Sequence, residues 1–195
     1  MAFEYPHRIV NLDMDSTFFE FEHPIKLALA ERGIAYADPT TDFYIAKRYQ
    51  DPEVVEMIEG IQHAKGFFQN LPLIDGAKDA WYEMIERGYS PRFCSKPLQK
   101  NPYCLEEKRA AIDFHFGAKA VDEAYIGRDK ESEPGIALID DRPGLGNGHT
   151  WQRIIYTQPW NQHESGLRLQ SWRDPNLFPI LAQCAAHYDR LFGQS

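Results

Sequence analysis

Two short apolar runs break off in paired acids, and this repeated ending constrains the fold more than any other feature of the chain. The first, Arg8 to Leu12, carries Ile9, Val10 and Leu12 and stops at Asp13-Met14-Asp15. The second, Ile136 to Ile139, stops at Asp140-Asp141-Arg142-Pro143. Short continuous apolar runs of this kind read as strands buried on both faces, as in a parallel sheet. Further strand-like runs at Tyr89–Cys94, Ala124–Ile126 and Ile154–Tyr156 alternate with helical patterns over 24–32, 52–64, 76–87, 102–115 and 176–192. Asp51-Pro52 supplies a cap and a proline at the first helical position of one of these. In the 76–87 helix, Ala77, Ala80, Trp81, Met84 and Ile85 share one face, and Gly88 ends it. Such alternation implies an α/β fold: a three-layer, Rossmann-like parallel sheet core. Residues 16–74 are too many for a simple crossover and read as a small helical cap inserted after the first strand. The expected organisation is one domain, with core 1–15 and 75–195 and cap about 16–74, which suits 195 residues.

In an open parallel sheet, ligands bind beyond the carboxyl ends of the strands. The residues just after each strand are therefore the candidates for chemistry: Asp13 and Asp15; Ser95-Lys96-Pro97; Arg128-Asp129-Lys130; and Asp140-Asp141-Arg142. Lys108 lies on the helix after the second strand. Taken singly, each acidic pair reads as a solvated turn. Together, two acidic pairs at neighbouring strand ends would repel unless something cationic lay between them. A divalent ion held by oxygen ligands fits, and Mg²⁺ is commonly bound through one or two carboxylates plus substrate phosphate.

Charge narrows the partners. With 21 Lys plus Arg against 29 Asp plus Glu, the net charge is −8, which disfavours a nucleic-acid polymer or a basic membrane-surface role. A small anion remains admissible, because binding depends on the local field. No run approaches the eighteen or so apolar residues of a membrane span, and MAFEYPHRIVNLDMD lacks the pattern of a signal peptide. Three cysteines without metal spacing read as reduced, packed thiols, so a cytoplasmic location is expected. A homodimer stays open. Gly144 to His149 is glycine-rich but has no P-loop lysine, and Trp151 and Trp160 read as packing residues.

Asp13-x-Asp15, Ser95, Lys108 and Asp140-Asp141 resemble, in order, the four motifs of the haloacid dehalogenase-like phosphatases. The segments DMDSTFFEF, GFFQNLPLIDGA, SKPLQKNPYCLEEK and GRDKESEPGIALIDDRP are most similar to the cytosolic and mitochondrial 5'(3')-deoxyribonucleotidases. The resemblance implies a Mg²⁺-dependent phosphomonoesterase acting on (deoxy)ribonucleoside 5'-monophosphates. It makes Asp13 the nucleophile and Asp15 the acid and base, with Ser95 on a phosphoryl oxygen. Lys108 would neutralise the phosphoryl group and Asp13. The ion would be held by Asp13, the Asp15 carbonyl and Asp140, with Asp141 supporting its waters or Lys108. Phe21, Phe43, Tyr44, Ile45 and Phe68 fall at the nucleoside pocket, whereas Phe18, Phe19 and Phe67 read as packing. Lys96, Leu98, Arg128, Lys130 and Arg142 fall at pocket or phosphate-proximal positions, a surface salt bridge being the competing reading for the two arginines. The chain departs from the resemblance at Ser16, where glycine is common, at Thr17, and at Tyr44, where tryptophan is frequent. Two other readings keep the fold: a phosphatase of sugar phosphates, and a non-catalytic nucleotide-binding protein.

Overall fold

The computed structural model describes residues 8–193, so residues 1–7 and 194–195 of the expected core lie outside the described residues. Six strands form one wholly parallel sheet: β1 (Ile9–Leu12), β2 (Ser90–Ser95), β3 (Tyr125–Ile126), β4 (Ala137–Asp140), β5 (Gln152–Tyr156) and β6 (Leu167–Leu169). Their spatial order is β3-β2-β1-β4-β5-β6. The chain winds outward from β1 to one edge, then restarts at β4 and winds to the other. Strand order therefore reverses between β1 and β4, and such switch points open a crevice at the strand ends. Helices α1 (His23–Glu31), α2 (Pro52–His63), α3 (Ala77–Glu86), α4 (Cys104–Phe116), α5 (Ala118–Glu123) and α6 (Leu177–Phe192) accompany them, with 3-10 turns at Ile45–Arg48 and Pro159–Asn161.

The sheet is buried on both faces, and successive strand residues point to opposite sides. Phe93, Ala137 and Ile139 enter the main core, while their neighbours Cys94 and Leu138 pack with Trp151 on the other side. This explains the unbroken apolar runs. The main core is aromatic: Phe18 makes edge contacts with Phe93 at 5.2 Å and Trp172 at 4.7 Å, and Trp81 stacks on Phe93 at 4.8 Å.

Phe18, Phe19 and Phe67 are buried, as packing requires. Ile85, expected on the inner face of α3, is 49% exposed, because the helix turns only Ala77, Ala80, Trp81 and Met84 fully inward. The Asp51 carboxylate caps α2 through the Glu53 amide at 2.9 Å, in keeping with the Asp-Pro pair. The stretch 16–74 leaves and rejoins the sheet at one place. The Ile74 amide donates to the Phe18 carbonyl at 3.0 Å, and the Glu20 amide to the Pro72 carbonyl at 2.9 Å.

Candidate active site

Parallel pairing brings the two acidic pairs together. Leu12 lies opposite Ile139 in the β1–β4 register, and the Asp13 amide continues the ladder to the Ile139 carbonyl at 2.9 Å. Asp13 therefore emerges beside Asp140 at the switch point. The carboxylates of Asp13, Asp140 and Asp141 lie within 4.8 Å of one another, and all three residues are buried. Burial, reinforced by the neighbouring acids, pushes Asp13 up to about 6 against the pull of Lys130. Burial also raises Asp141 well above the usual carboxylate range, with Asp140 and Asp13 adding to it.

The buried ammonium of Lys130 pairs with Asp13 and, at 2.8 Å, with Asp140. Burial alone would lower its pKa, but these two carboxylates hold it above the usual lysine range. Lys108 serves a different acid. Its buried Nζ donates to Asp15 Oδ2 at 2.7 Å, Ser95 Oγ at 2.8 Å and the Lys96 carbonyl at 3.2 Å, and lies 5.1 Å from the Phe68 ring centroid. The direct hydrogen bonds of Lys108 go to Asp15 rather than Asp13, although its charge also pulls the Asp13 carboxyl down. The geometry pairs Lys130 with Asp13 and Lys108 with Asp15, because β3 ends early and the loop after it turns Lys130 inward. Trp151 Nε1 holds that loop through the Lys130 carbonyl at 3.3 Å.

Asp141 pairs with neither lysine. It accepts from Thr17 Oγ1 and from Trp160 Nε1, each at 3.2 Å. Trp160 therefore does more than pack, and Thr17 places a hydroxyl on an acid where an apolar side chain would leave it bare. Ser16 adopts a left-handed backbone, φ 57°, the conformation that favours glycine. Gln158 Nε2 donates to its carbonyl at 2.6 Å, and its amide donates to the Phe19 carbonyl at 2.8 Å. The loop thus keeps its turn with serine in place.

The remaining candidates are placed unevenly. Ile45 and Phe68 are buried, Phe21 packs edge-on against Phe67 at 5.3 Å, and Tyr44 is 53% exposed. Phe43 packs edge-on against both Tyr44 at 5.0 Å and Trp160 at 5.9 Å. Lys96 and Leu98 are half-buried on the segment after β2. Arg128 and Arg142 are exposed, and neither forms a salt bridge among the described residues. A cleft of about 200 Å³ is lined by Ser16, next in sequence to Asp15, by Trp160, which donates to Asp141, and by Phe21, Glu22, Tyr36 and Gln158. A larger cavity, about 680 Å³, lies between Arg32, Gln50, Glu53 and Met57 and includes none of the clustered acids.

Three clustered buried carboxylates, only two of them paired with the one ammonium among them, leave negative charge uncompensated, and Asp15 Oδ1 is buried without a hydrogen-bond partner among the described residues. The donors are all carboxylate oxygens, the set that suits a hard divalent cation. The residues present fit such an ion.

A six-stranded parallel sheet with this constellation at its switch point is the haloacid dehalogenase-type hydrolase fold. A solved hydrolase of that family from Deinococcus radiodurans, with bound phosphate and sodium, superposes with a TM-score of 0.56 at 16% identity, covering 92% of this chain and 96% of its own. The chain belongs to the family described as "5' nucleotidase, deoxy (Pyrimidine), cytosolic type C protein", whose model matches residues 7–184. It is similar to a Bordetella bronchiseptica protein named "Putative 5'(3')-deoxyribonucleotidase", at 32% identity over 85% of this chain and 92% of that one. It is also similar to the human "5'(3')-deoxyribonucleotidase, cytosolic type", at 29% identity over 85% and 89%. The protein is accordingly a hydrolase of the 5'-nucleotidase kind. Among the described residues, no helix is long and apolar enough to cross a membrane.

Proposed function

We propose that this protein hydrolyses (deoxy)ribonucleoside 5'-monophosphates to nucleoside and phosphate, with Mg²⁺ and through an aspartyl-phosphate on Asp13. The observation that carries the reading is the separation of two carboxylates into two environments. Asp13 sits among Asp140, Asp141 and Lys130, while Asp15, two residues on, pairs with Lys108. The two acids therefore stand in different surroundings and can take different roles, one at phosphorus and one toward the leaving oxygen.

Asp13, the Asp15 carbonyl and Asp140 would hold Mg²⁺, with Asp141 in support, and the ion when bound would supply positive charge to the phosphoryl oxygens and the attacking carboxylate. An oxygen of Asp13 attacks phosphorus, the bond from phosphorus to the 5'-oxygen breaks, and Asp15 gives its proton to that leaving oxygen. Asp15, now ionised, takes a proton from water as the water attacks the aspartyl-phosphate, releasing phosphate and restoring Asp13. Lys130 orients the Asp13 carboxylate and offsets its charge as the substrate's dianion approaches. Ser95, with Lys108 behind it, offers a hydroxyl to a phosphoryl oxygen, and Lys108 fixes the direction of Asp15. Electrostatic preorganisation of this kind supplies much of the acceleration in phosphoryl transfer.

Residues 16–74 act as the cap, with Phe21, Phe43 and Tyr44 offering faces for the nucleoside. Arg128 and Arg142, without carboxylate partners among the described residues, are available to the substrate's phosphate side. Three unpaired, buried cysteines suit a reducing compartment, and we place the protein in the cytoplasm.

Phosphate release from ribo- and deoxyribonucleoside monophosphates and sugar phosphates, with Mg²⁺ and with excess chelator, tests the proposal. Nucleotides should be the better substrates and chelator should abolish turnover. Far higher efficiency on sugar phosphates would replace the substrate class. Turnover in excess chelator would remove the metal.

A further inference from the structure

Arg48 is the most completely buried cation of the cap, its side chain wholly hidden from solvent. It sits on the 3-10 turn Ile45–Arg48 that comes after the Phe43-Tyr44 pair. Its guanidinium makes four hydrogen bonds: Nε to the Asp42 carbonyl at 2.7 Å, Nη2 to the Phe43 carbonyl at 3.2 Å, Nη2 to Glu22 Oε1 at 2.8 Å, and Nη1 to the Tyr36 hydroxyl at 3.0 Å. The Tyr36 hydroxyl in turn donates to the second oxygen of Glu22. Burial and the Glu22 carboxylate hold that phenol above its usual range, so it stays a donor.

With four of its five N–H donors engaged inside the cap and its side chain hidden from solvent, Arg48 is held as a structural clamp. What it does is grip two consecutive carbonyls of the segment carrying the aromatic pair and tie them to α1. The same guanidinium lies over the Trp160 ring, 5.2 Å from the centroid. Trp160 packs against Phe43 on one side and donates to Asp141 on the other. A continuous chain of contacts therefore runs from the buried ion pair, through the aromatic pair, to the acidic cluster.

We propose that Arg48 is a specificity-determining positioning residue: by clamping the Asp42 and Phe43 carbonyls to Glu22 and seating that loop on Trp160, it fixes the aromatic pair at the distance from the acids that a base-bearing substrate requires. The inference rests on the nucleotide reading above. It concerns the part of the substrate remote from phosphorus, so its loss should be felt by substrates that carry a base and not by those that lack one.

The test compares nucleoside 5'-monophosphates with deoxyribose 5-phosphate, the same phosphoester without the base, in the Mg²⁺-supplemented full chain. In Arg48→Lys the charge opposite Glu22 survives, but a lysine cannot present a planar fork to two carbonyls, a phenol and a carboxylate together. We expect kcat/KM for nucleotides to fall ~10-fold or more, chiefly through KM, the order of one lost base-stacking contact. The value for deoxyribose 5-phosphate should stay within about twofold. Should Arg48→Lys lose its thermal unfolding transition, the double variant Glu22→Gln/Arg48→Met, which removes both charges, carries the same expectation. Parallel losses on both substrates, or no loss on either, would overturn the inference. A wild-type enzyme that prefers deoxyribose 5-phosphate would overturn the nucleotide reading and this inference with it. A wild-type nucleotide preference that the variants leave intact would overturn the inference alone.

Discussion

Replacing Lys130 by methionine tests the electrostatic account most severely. Among the described residues it is the one ammonium in contact with the clustered acids, and methionine keeps much of its volume. Lys130 is buried and contacts Asp13 and Asp140, while Asp141 completes a group of three carboxylates within 4.8 Å. Removing one partner of a buried, hydrogen-bonded ion pair costs about 3–5 kcal/mol, most of it the cost of the charge left behind. For a domain of this size that corresponds to a fall in Tm of roughly 6–20 °C. The loss belongs to the metal-free protein. A divalent ion bound at the same carboxylates would replace the missing charge, so Mg²⁺ should recover a large part of the lost stability in the variant. Catalysis should not recover with it, since the ion does not reproduce the hydrogen bond that orients Asp13. A fall in kcat of ~10²–10³-fold is expected, typical for loss of one preorganised charge stabiliser. The assays are thermal unfolding of wild type and Lys130→Met at pH 8, with chelator and with saturating Mg²⁺, and steady-state phosphate release under the second condition. A metal-free variant as stable as wild type, or turnover within tenfold of wild type, would refute the reasoning.

The same geometry sets three further outcomes. In the metal-free protein the contribution of Asp13 to stability should fall as pH rises. Asp13 binds a proton more tightly folded, at about 6, than unfolded, near 3.8, so its contribution is present below pH 4 and lost through pH 6. At about 1.36 kcal/mol per pH unit the loss is roughly 3 kcal/mol, measurable by denaturant unfolding at pH 4 and pH 7; a rise over that interval would contradict it. Ser16→Gly should leave activity intact and stabilise by about 0.5–1 kcal/mol, relief of the left-handed strain at φ 57° outweighing the entropy of glycine; destabilisation in urea melts would show that no strain is stored there. Thr17→Val deletes the hydroxyl on Asp141 and should raise the Mg²⁺ concentration for half-maximal activity by about 10-fold; an unchanged metal titration would show that the contact supports packing alone.

The sheet and the acidic centre were legible in the sequence because one property wrote both. A strand buried on two faces is an unbroken apolar run, and an acid can come only where the strand leaves the core. The runs ending at Asp13 and Asp140 therefore marked both the strands and the crevice. Strand β6 and helix α5 left no such mark, because Arg168 interrupts the apolar residues of the strand and a six-residue helix is under two turns. The division of labour between the lysines was also hidden. Spacing along the chain put Lys108 on the helix past a strand end, a natural site position, but which acid it would reach depended on tertiary packing. Lys130 was marked by its place after a strand end, but its pairing with Asp13 and Asp140 depended on the inward turn of its loop, whose Lys130 carbonyl accepts from Trp151. Trp160 looked like packing for a similar reason. Its hydrogen bond to Asp141 exists because β5 pairs with β4, placing Ile155 beside Asp140 and the next 3-10 turn over the strand end. The net charge of −8 pointed away from polyanions, and it described the surface. At the site, two buried lysines and a divalent ion would reverse the local field.

The most direct measurement is the turnover of a nucleoside 5'-monophosphate by Asp13→Asn, in saturating Mg²⁺, against wild type. An asparagine preserves the shape beside Asp140 and Lys130 but is no nucleophile toward phosphorus. The account predicts a fall in kcat of ~10³-fold or more, with no phosphoryl group on residue 13 after rapid acid quench where wild type carries one. Turnover within tenfold of wild type would contradict it.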